Sequence, residues 1–221
     1  MKFRMLFAIP LAVLVALAGG SSPSSAQIGA EVFGAFNTYS MEDWNDAIAG
    51  PIAASGTNFD EISGGFGGGL GLRFFASPNF MISGVWEPLF VTRADDATGD
   101  KLKLDGNSIQ GSVAYFFPTA GSARYGLGAG VGYYMLSGEA EDPTDPPPGE
   151  LEGNGVGFHF MGLGEWTVSP GFAVTGGAGY RVANIDDTEL DGVSSNPKFE
   201  TDYSGMMLRL GLAFYMGETS R

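Results

Sequence analysis

Few residues of this 221-residue chain could carry out acid–base or nucleophilic chemistry. The chain has no Cys and a single His, His159, which stands between Phe158 and Phe160. A hydrolytic site built on this His would also need a nucleophile and an orienting acid, and the sequence assigns no Ser, Asp or Asn to it. We predict no enzyme activity, no cofactor and no metal site, with a His-dependent lipid or peptide hydrolase as the catalytic alternative.

A second set of ionisable residues lies within segments where every other residue is apolar or Gly. The residues between the apolar ones hold nearly all of the charge in these segments: Glu31, Glu61, Glu87, Glu165, Arg73, Arg124, Arg181 and Arg209, with His159 among them. A charge in a narrow, poorly hydrated space is costly unless it is paired. We predict that these residues face a shared interior of the fold and fill it with a salt-bridge network. The alternative is a narrow gated path for ions or small solutes.

Alternation with a period of two predicts β-strands that have one apolar and one polar face. The pattern recurs in eight segments, which in chain order are 28–38, 62–74, 80–92, 106–117, 124–136, 154–168, 172–182 and 206–216. Small-residue stripes on the polar face at 65–71 and 126–132 place no side chain in the interior. We interpret the glycines as allowing tight curvature and room for long side chains, and a cavity for a small apolar ligand is the alternative.

The connections between these strands alternate in length. Three are short, at 76–79, 118–123 and 169–171, whereas the long ones, 40–60, 93–105, 139–153 and 186–201, carry most of the acidic residues. Short turns at one rim and long loops at the other are typical of outer-membrane barrels. We predict an all-β fold, an eight-stranded antiparallel up-and-down transmembrane β-barrel. A soluble sandwich or lipocalin-type barrel would leave the Gly stripes in water, and it would not explain aromatics near both rims.

The N-terminus resembles a secretory signal peptide. Lys2 and Arg4 precede the apolar stretch 5–18, and small residues follow as far as Ala26. We predict a signal peptide at 1–26 and a barrel domain at 27–221; a retained anchor is the alternative, although the stretch is short for a span of about 20 residues. Removal of the segment changes the net charge from −14 to −16, because nine basic and 25 acidic residues then remain. We predict no nucleic-acid partner, because neutralising phosphates requires clustered Lys and Arg.

Among the connections between the predicted strands, the first long loop is the one with a helical pattern. Ser40 could cap a short helix at 41–49, Trp44, Ile48 and Ile52 recur every fourth residue, and Gly50-Pro51 would end it. We predict that this segment folds over the barrel mouth as a lid; a surface helix without a specific role is the alternative.

The long loops are acidic. They include Asp95, Asp96, Asp100 and Asp105, six acids between 139 and 152, and six between 186 and 202. Carboxylates at this density can bind Ca²⁺ or Mg²⁺ weakly and could bridge to lipopolysaccharide. No loop has the spacing of an EF-hand, so we interpret the acids chiefly as solvated surface.

In architecture the mature chain resembles the small outer-membrane barrels of the OmpA/OmpX/OmpW type. Its last strand is similar to the C-terminal assembly signal of such proteins, through Arg209, Gly211, Phe214 and Met216. The resemblance implies a bacterial outer-membrane location, contact with membrane lipid and lipopolysaccharide, and recognition by the barrel-assembly machinery. Two functions remain open: a scaffold or surface-interaction barrel, and a narrow channel or binding barrel for small or hydrophobic solutes, which the OmpW-type resemblance implies.

Overall fold

The computed structural model describes residues 27–52, 61–95, 101–141, 149–186, 188–190, 193–194 and 200–216. The predicted signal peptide, 1–26, and the tail after Met216 lie outside these residues. The elements are β1 (Gln27–Thr38), α1 (Glu42–Ala47) with a π-helical turn (Ile48–Ile52), β2 (Gly64–Ser77), β3 (Phe80–Asp95), β4 (Lys101–Phe116), β5 (Ala123–Glu141), β6 (Gly149–Ser169), β7 (Phe172–Ile185), β8 (Glu189–Leu190), β9 (Val193–Ser194), β10 (Thr201–Asp202) and β11 (Gly205–Met216).

Eight long strands close into one barrel. Each of β1 to β6 pairs antiparallel with its successor, and β11 pairs with both β7 and β1, so that the sheet has no open edge through its middle. In the closed sheet, Glu31 of β1 lies opposite Ala213 of β11 on one side and opposite Gly71 of β2 on the other. The predicted eight-stranded antiparallel barrel is confirmed.

The two faces of the sheet differ as the alternation predicts. Large apolar side chains such as Leu72, Leu127 and Leu210 are more than half exposed on the outside. Aromatic residues lie on the same outer face near the turn rim, among them Tyr115, Phe117, Tyr125 and Trp166. The outside is therefore an apolar belt with an aromatic border, which suits contact with lipid.

The loop-side ends of the strands extend further than the alternation predicts. β5 and β6 form a hairpin ladder that reaches Ala140 and Gly149, and β4 follows β5 as far as Lys101. The short strands β8 and β9 add to β6, while β10 pairs with the end of β7. Most of the acidic loop residues lie in or beside the gaps between the described ranges. No helix among the described residues is long and apolar enough to cross a bilayer.

Among the strand pairs of the barrel, β2 and β3 are paired over the smallest part of their length. Their ladder runs from Ser77 and Phe80 to Leu70 and Trp86 and stops there, although β2 continues back to Gly64 and β3 continues to Asp95. Pro88 lies two residues beyond Trp86 in β3 and has no N–H to donate. The strands stay adjacent, since a Cβ on Gly67 would lie 2.9 Å from the Pro88 carbonyl oxygen. Beside Pro88, β2 and β3 are therefore in contact but are not joined by ladder hydrogen bonds.

Candidate functional site

Glu165 is the centre of a charged layer near the turn-side end of the interior. Its Oε1 accepts hydrogen bonds from Nε and Nη2 of Arg124 at 3.0 and 2.6 Å. Its Oε2 lies 2.9 Å from Nη1 of Arg73 and accepts the hydroxyl of Tyr215 at 2.5 Å. The Glu165 side chain is only 2% exposed, so the carboxylate is buried with its partners on both oxygens, as a buried charge requires.

The two arginines of this layer are held by rings as well as by charge. The Arg124 guanidinium lies over Phe75 and Phe116, 4.1 and 4.7 Å from their centroids. Arg73 is 3% exposed and lies 3.9 Å from Glu31, whose carboxylate accepts the Thr175 hydroxyl at 2.5 Å. Stacking on aromatic faces adds to the ion pairs.

A second layer surrounds Glu87, which is fully buried. Its Oε2 pairs with Nη2 of Arg209 at 2.5 Å and accepts Nε2 of Gln110 at 2.9 Å, and its Oε1 accepts Nδ2 of Asn37 at 3.1 Å. The Arg209 guanidinium also lies over the Phe33 ring and donates to Gln110. Opposite charges from β3 and β11 thus meet in the middle of the barrel.

His159 belongs to the interior set that the sequence predicts, but no acid pairs with it among the described residues. Its Nε2 lies 2.8 Å from Oγ of Ser112 on β4, and its Nδ1 has no hydrogen-bond partner among the described residues. A Ser–His pair is part of a hydrolytic constellation, but no third, orienting group from the described part of the chain contacts Nδ1. The pair lines a central cavity of about 50 Å³, room for a few waters.

Arg181 is also fully buried, yet no carboxylate pairs with it among the residues described. Its Nε donates to the Tyr203 carbonyl at 2.9 Å, and its guanidinium lies over the rings of Tyr39 and Tyr134. Cation–π contacts and a backbone carbonyl therefore stand where the sequence predicted an acid. Tyr39 lies just beyond β1, and burial raises the pKa of its hydroxyl to about 12, against the opposing effect of Arg181.

The loop-side mouth is filled by an apolar cluster to which the first loop contributes. Trp44 and Ile48 are buried there, each 6% exposed, and Met41 is fully buried. Trp44 donates its indole N–H to Thr201 Oγ1 at 2.9 Å, which ties the first loop to β10. The helix of the first loop therefore lies across the mouth. The side chain of Ile52, the third predicted lid residue, lies outside the described residues.

The start of this helix differs from the prediction. Ser40 is not its cap: the residue before α1 is Met41, in the left-handed region at φ 42°, with no side-chain cap, while Ser40 donates to the Ser204 carbonyl. Tertiary contact of the buried Met41 outweighs capping chemistry here. The helical turn also continues through Gly50-Pro51 to Ile52 instead of ending before them.

Glu61 is the one predicted member of the charge network that the structure places elsewhere. It precedes β2 and is exposed, and its neighbour Ile62, predicted on the outer face, is 3% exposed and packs in the mouth cluster. Asn45 of the first loop accepts and donates hydrogen bonds with the Ile62 backbone. This loop contact rotates the segment out of the strand alternation.

Two glycines show how the interior accommodates large side chains. A Cβ on Gly130 would lie 2.6 Å from the His159 ring, and a Cβ on Gly132 would lie 2.9 Å from the Tyr134 ring. The space left by this Gly stripe is therefore filled by side chains from the barrel itself. The pattern is consistent with the predicted room for long side chains.

The residues of the predicted assembly signal divide between the two faces of β11. Arg209 and Gly211 face the interior, while Phe214 and Met216 are 52% and 72% exposed outside. Partners that the sequence did not assign to the charge network are neutral: Asn37, Gln110, Ser112, Thr175, Tyr134, Tyr203 and Tyr215. Tyr203 lies between β10 and β11, whereas the other six stand on the polar face of the strands, and that position was the available signal.

Comparisons with known proteins find several solved structures that have a similar fold. No family model and no curated protein matches the chain. A major outer membrane protein of Thermus thermophilus matches at 16% identity and TM-score 0.54, covering 87% of this chain and 100% of that one. Ail, the attachment invasion locus protein of Yersinia pestis, matches at 8% and 0.53, covering 87% and 99%, and OprG of Pseudomonas aeruginosa matches at 10% and 0.52, covering 88% and 97%. The chain has the fold of the small eight-stranded outer-membrane β-barrels.

Proposed function

We propose that this protein is an integral outer-membrane barrel with a closed, salt-bridged interior, which serves envelope structure or surface interaction and catalyses no reaction. It reaches the membrane by way of a cleaved signal peptide, with the turns in the periplasm and the acidic loops outside. An apolar outer belt, the antiparallel closure and the solved barrels of the same fold support this location.

One observation carries the closed interior: the buried charges of the Glu165 and Glu87 layers pair with one another across the barrel. Glu165 with its two arginines and Glu87 with Arg209 form successive layers, and the first loop adds Trp44 at the mouth. Eight strands leave an interior about wide enough for side chains alone. Passage of a solute would therefore require buried ion pairs to separate, at a cost of several kcal/mol.

Osmotic swelling of proteoliposomes tests this proposal. We expect liposomes that contain the protein to swell in glycine or arabinose no faster than empty liposomes. The matched variant deletes residues 41–55, which removes the lid but leaves both charge layers, and we expect it to be equally slow. Rapid swelling with the intact protein would contradict a closed interior, whereas rapid swelling with the deletion alone would assign closure to the lid.

The partners are proposals of the same kind. Membrane lipid and lipopolysaccharide would contact the belt and the outer rim, and the barrel-assembly machinery would recognise β11. Divalent cations bound weakly by the loop carboxylates would bridge to lipopolysaccharide. Binding of the protein to lipopolysaccharide with and without Mg²⁺ tests the last of these.

The break in the β2–β3 ladder favours a second candidate, a lateral path for small hydrophobic solutes. The strands beside Pro88 touch without ladder hydrogen bonds, and the interior behind them includes Leu89 and Leu104, both buried. Such a path would join the mouth cluster to the lipid without crossing the charge layers. Pro88→Val restores an N–H, and slower uptake of an apolar dye by cells that carry this variant would support the path. Equal uptake with and without the protein would exclude it.

A further inference from the structure

A cavity of about 400 Å³ lies at the turn-side end of the barrel, outside the charge layers. Residues of all three short turns line it, among them Pro78, Asn79, Pro118 and Gly171. Its size falls within the range of about 300–1,000 Å³ typical of small-molecule sites. The inner wall of this turn-side cavity is the Glu165 layer, through Glu165, Arg124 and Tyr215.

The charge that this cavity presents is positive. Arg124 and Glu165 are the two charged residues of its wall among the described part of the chain, but the Arg124 side chain is 23% exposed and that of Glu165 only 2%. Both carboxylate oxygens of Glu165 are occupied by Arg73, Arg124 and Tyr215. A solute that enters the cavity therefore meets the guanidinium and is shielded from the carboxylate.

The Arg124 guanidinium also has donors left over. Of its five N–H bonds, Nε and one on Nη2 point to Glu165, and Nη1 makes a single long contact of 3.4 Å to the Pro78 carbonyl. One N–H on each terminal nitrogen has no acceptor among the described residues. Two parallel N–H groups on the terminal edge of a guanidinium match the two oxygens of a carboxylate.

This edge is already fixed in place. Phe75 and Phe116 hold the guanidinium plane from one side, at 4.1 and 4.7 Å, and Glu165 holds its Nε side. A donor pair that is ordered before binding loses little side-chain entropy when the ligand arrives. Pro118 and Tyr215 supply apolar wall for the body of a ligand. The geometry points to a binding site for a small organic carboxylate at the turn-side mouth, held by Arg124.

The three tryptophans provide the readout that tests this site. Trp166 donates its indole N–H to Ser122 Oγ at 3.1 Å, and Ser122 lines the cavity. Trp44 lies at the opposite mouth and Trp86 on the outer face, so both report non-specific effects. We would titrate ¹⁵N-labelled full-length protein in lipid nanodiscs with benzoate and follow the three indole N–H signals. Benzamide, which has the same body and no charge, is the control ligand.

We expect benzoate to shift the Trp166 signal saturably, to leave Trp44 unchanged, and to bind at least about tenfold more tightly than benzamide. Arg124→Gln should raise the dissociation constant about tenfold or more, while Lys103→Gln, which removes an exposed cation at the loop side, should not change it. The folded state of each variant is checked by its unheated electrophoretic mobility. Equal binding of benzoate and benzamide, or parallel shifts of all three indoles, would overturn the site even if Arg124→Gln did not fold.

Discussion

Neutralising Glu165 should be among the most damaging conservative substitutions in the barrel. Glu165→Gln keeps the side-chain volume, so it creates no cavity, but it removes the negative charge and places an N–H donor opposite one of the two arginines, Arg73 or Arg124. Arg73 is 3% exposed and would keep Glu31, 3.9 Å away, as its one ionic partner among the described residues, beside its hydrogen bond to the Tyr215 hydroxyl. Breaking a buried ion pair by removing one partner costs about 3–5 kcal/mol. The partly exposed Arg124 pair adds about 1 kcal/mol or less, so we expect a total loss of about 3–6 kcal/mol.

The assay is reversible urea unfolding of the protein in lipid vesicles, followed by tryptophan emission. Glu152→Gln is the matched control, because Glu152 is an exposed carboxylate on the same strand, and it should change the free energy of unfolding by less than about 0.5 kcal/mol. Adding Arg73→Met to Glu165→Gln should restore part of the loss, since no unpaired buried guanidinium then remains. A loss below about 1 kcal/mol for Glu165→Gln would refute the view that this layer holds the barrel together.

Three further predictions concern the lid, the interior glycines and alkaline pH. Trp44→Ala should loosen the first loop by about 3–5 kcal/mol and speed its proteolysis in the folded barrel, whereas Trp86→Ala on the outer face should not. Gly130→Ala should block folding or cost several kcal/mol, because its Cβ would overlap a backbone carbonyl oxygen of the neighbouring strand, while Gly111→Ala has open space; electrophoretic mobility of the two variants decides this. Since burial raises the pKa of Tyr39 from 10 to about 12, the protonated hydroxyl is favoured in the folded state. Its contribution to stability is complete below pH 10 and is lost as pH rises towards 12, and Tyr39→Phe should remove that part of the pH profile.

Strand number, topology and the inward-facing charges follow from alternation, because a sheet with one buried face imposes a period of two on the chain. This is why Arg73, Glu87, Glu165 and Arg209 all lie where the pattern places them. The partners of each charge do not follow, since they depend on stagger between strands. Arg181 shows this limit, because its neighbours across the lumen are tyrosines and not an acid.

Prediction was weakest where loops meet the barrel. In the sequence, Glu61 and Ile62 continue the alternation of β2, which predicts Glu61 inside and Ile62 outside. Contacts with the first loop reverse this, so that Ile62 is buried and Glu61 is exposed. The predicted cap at Ser40 is wrong for the same reason, because burial of Met41 decided the start of the helix. The turn-side cavity had no sequence signal, as it is built from three turns that are far apart in the chain.

The closed interior is tested most directly by electrical recording of the purified protein in planar bilayers. We predict no conductance steps above the lipid baseline at neutral pH, because in the proposed closed interior the Glu165 and Glu87 layers and the Trp44 lid block the path. Stable, ohmic steps that scale with the amount of protein, and that change in size with Glu87→Gln, would contradict the account and show an open pore lined by these residues.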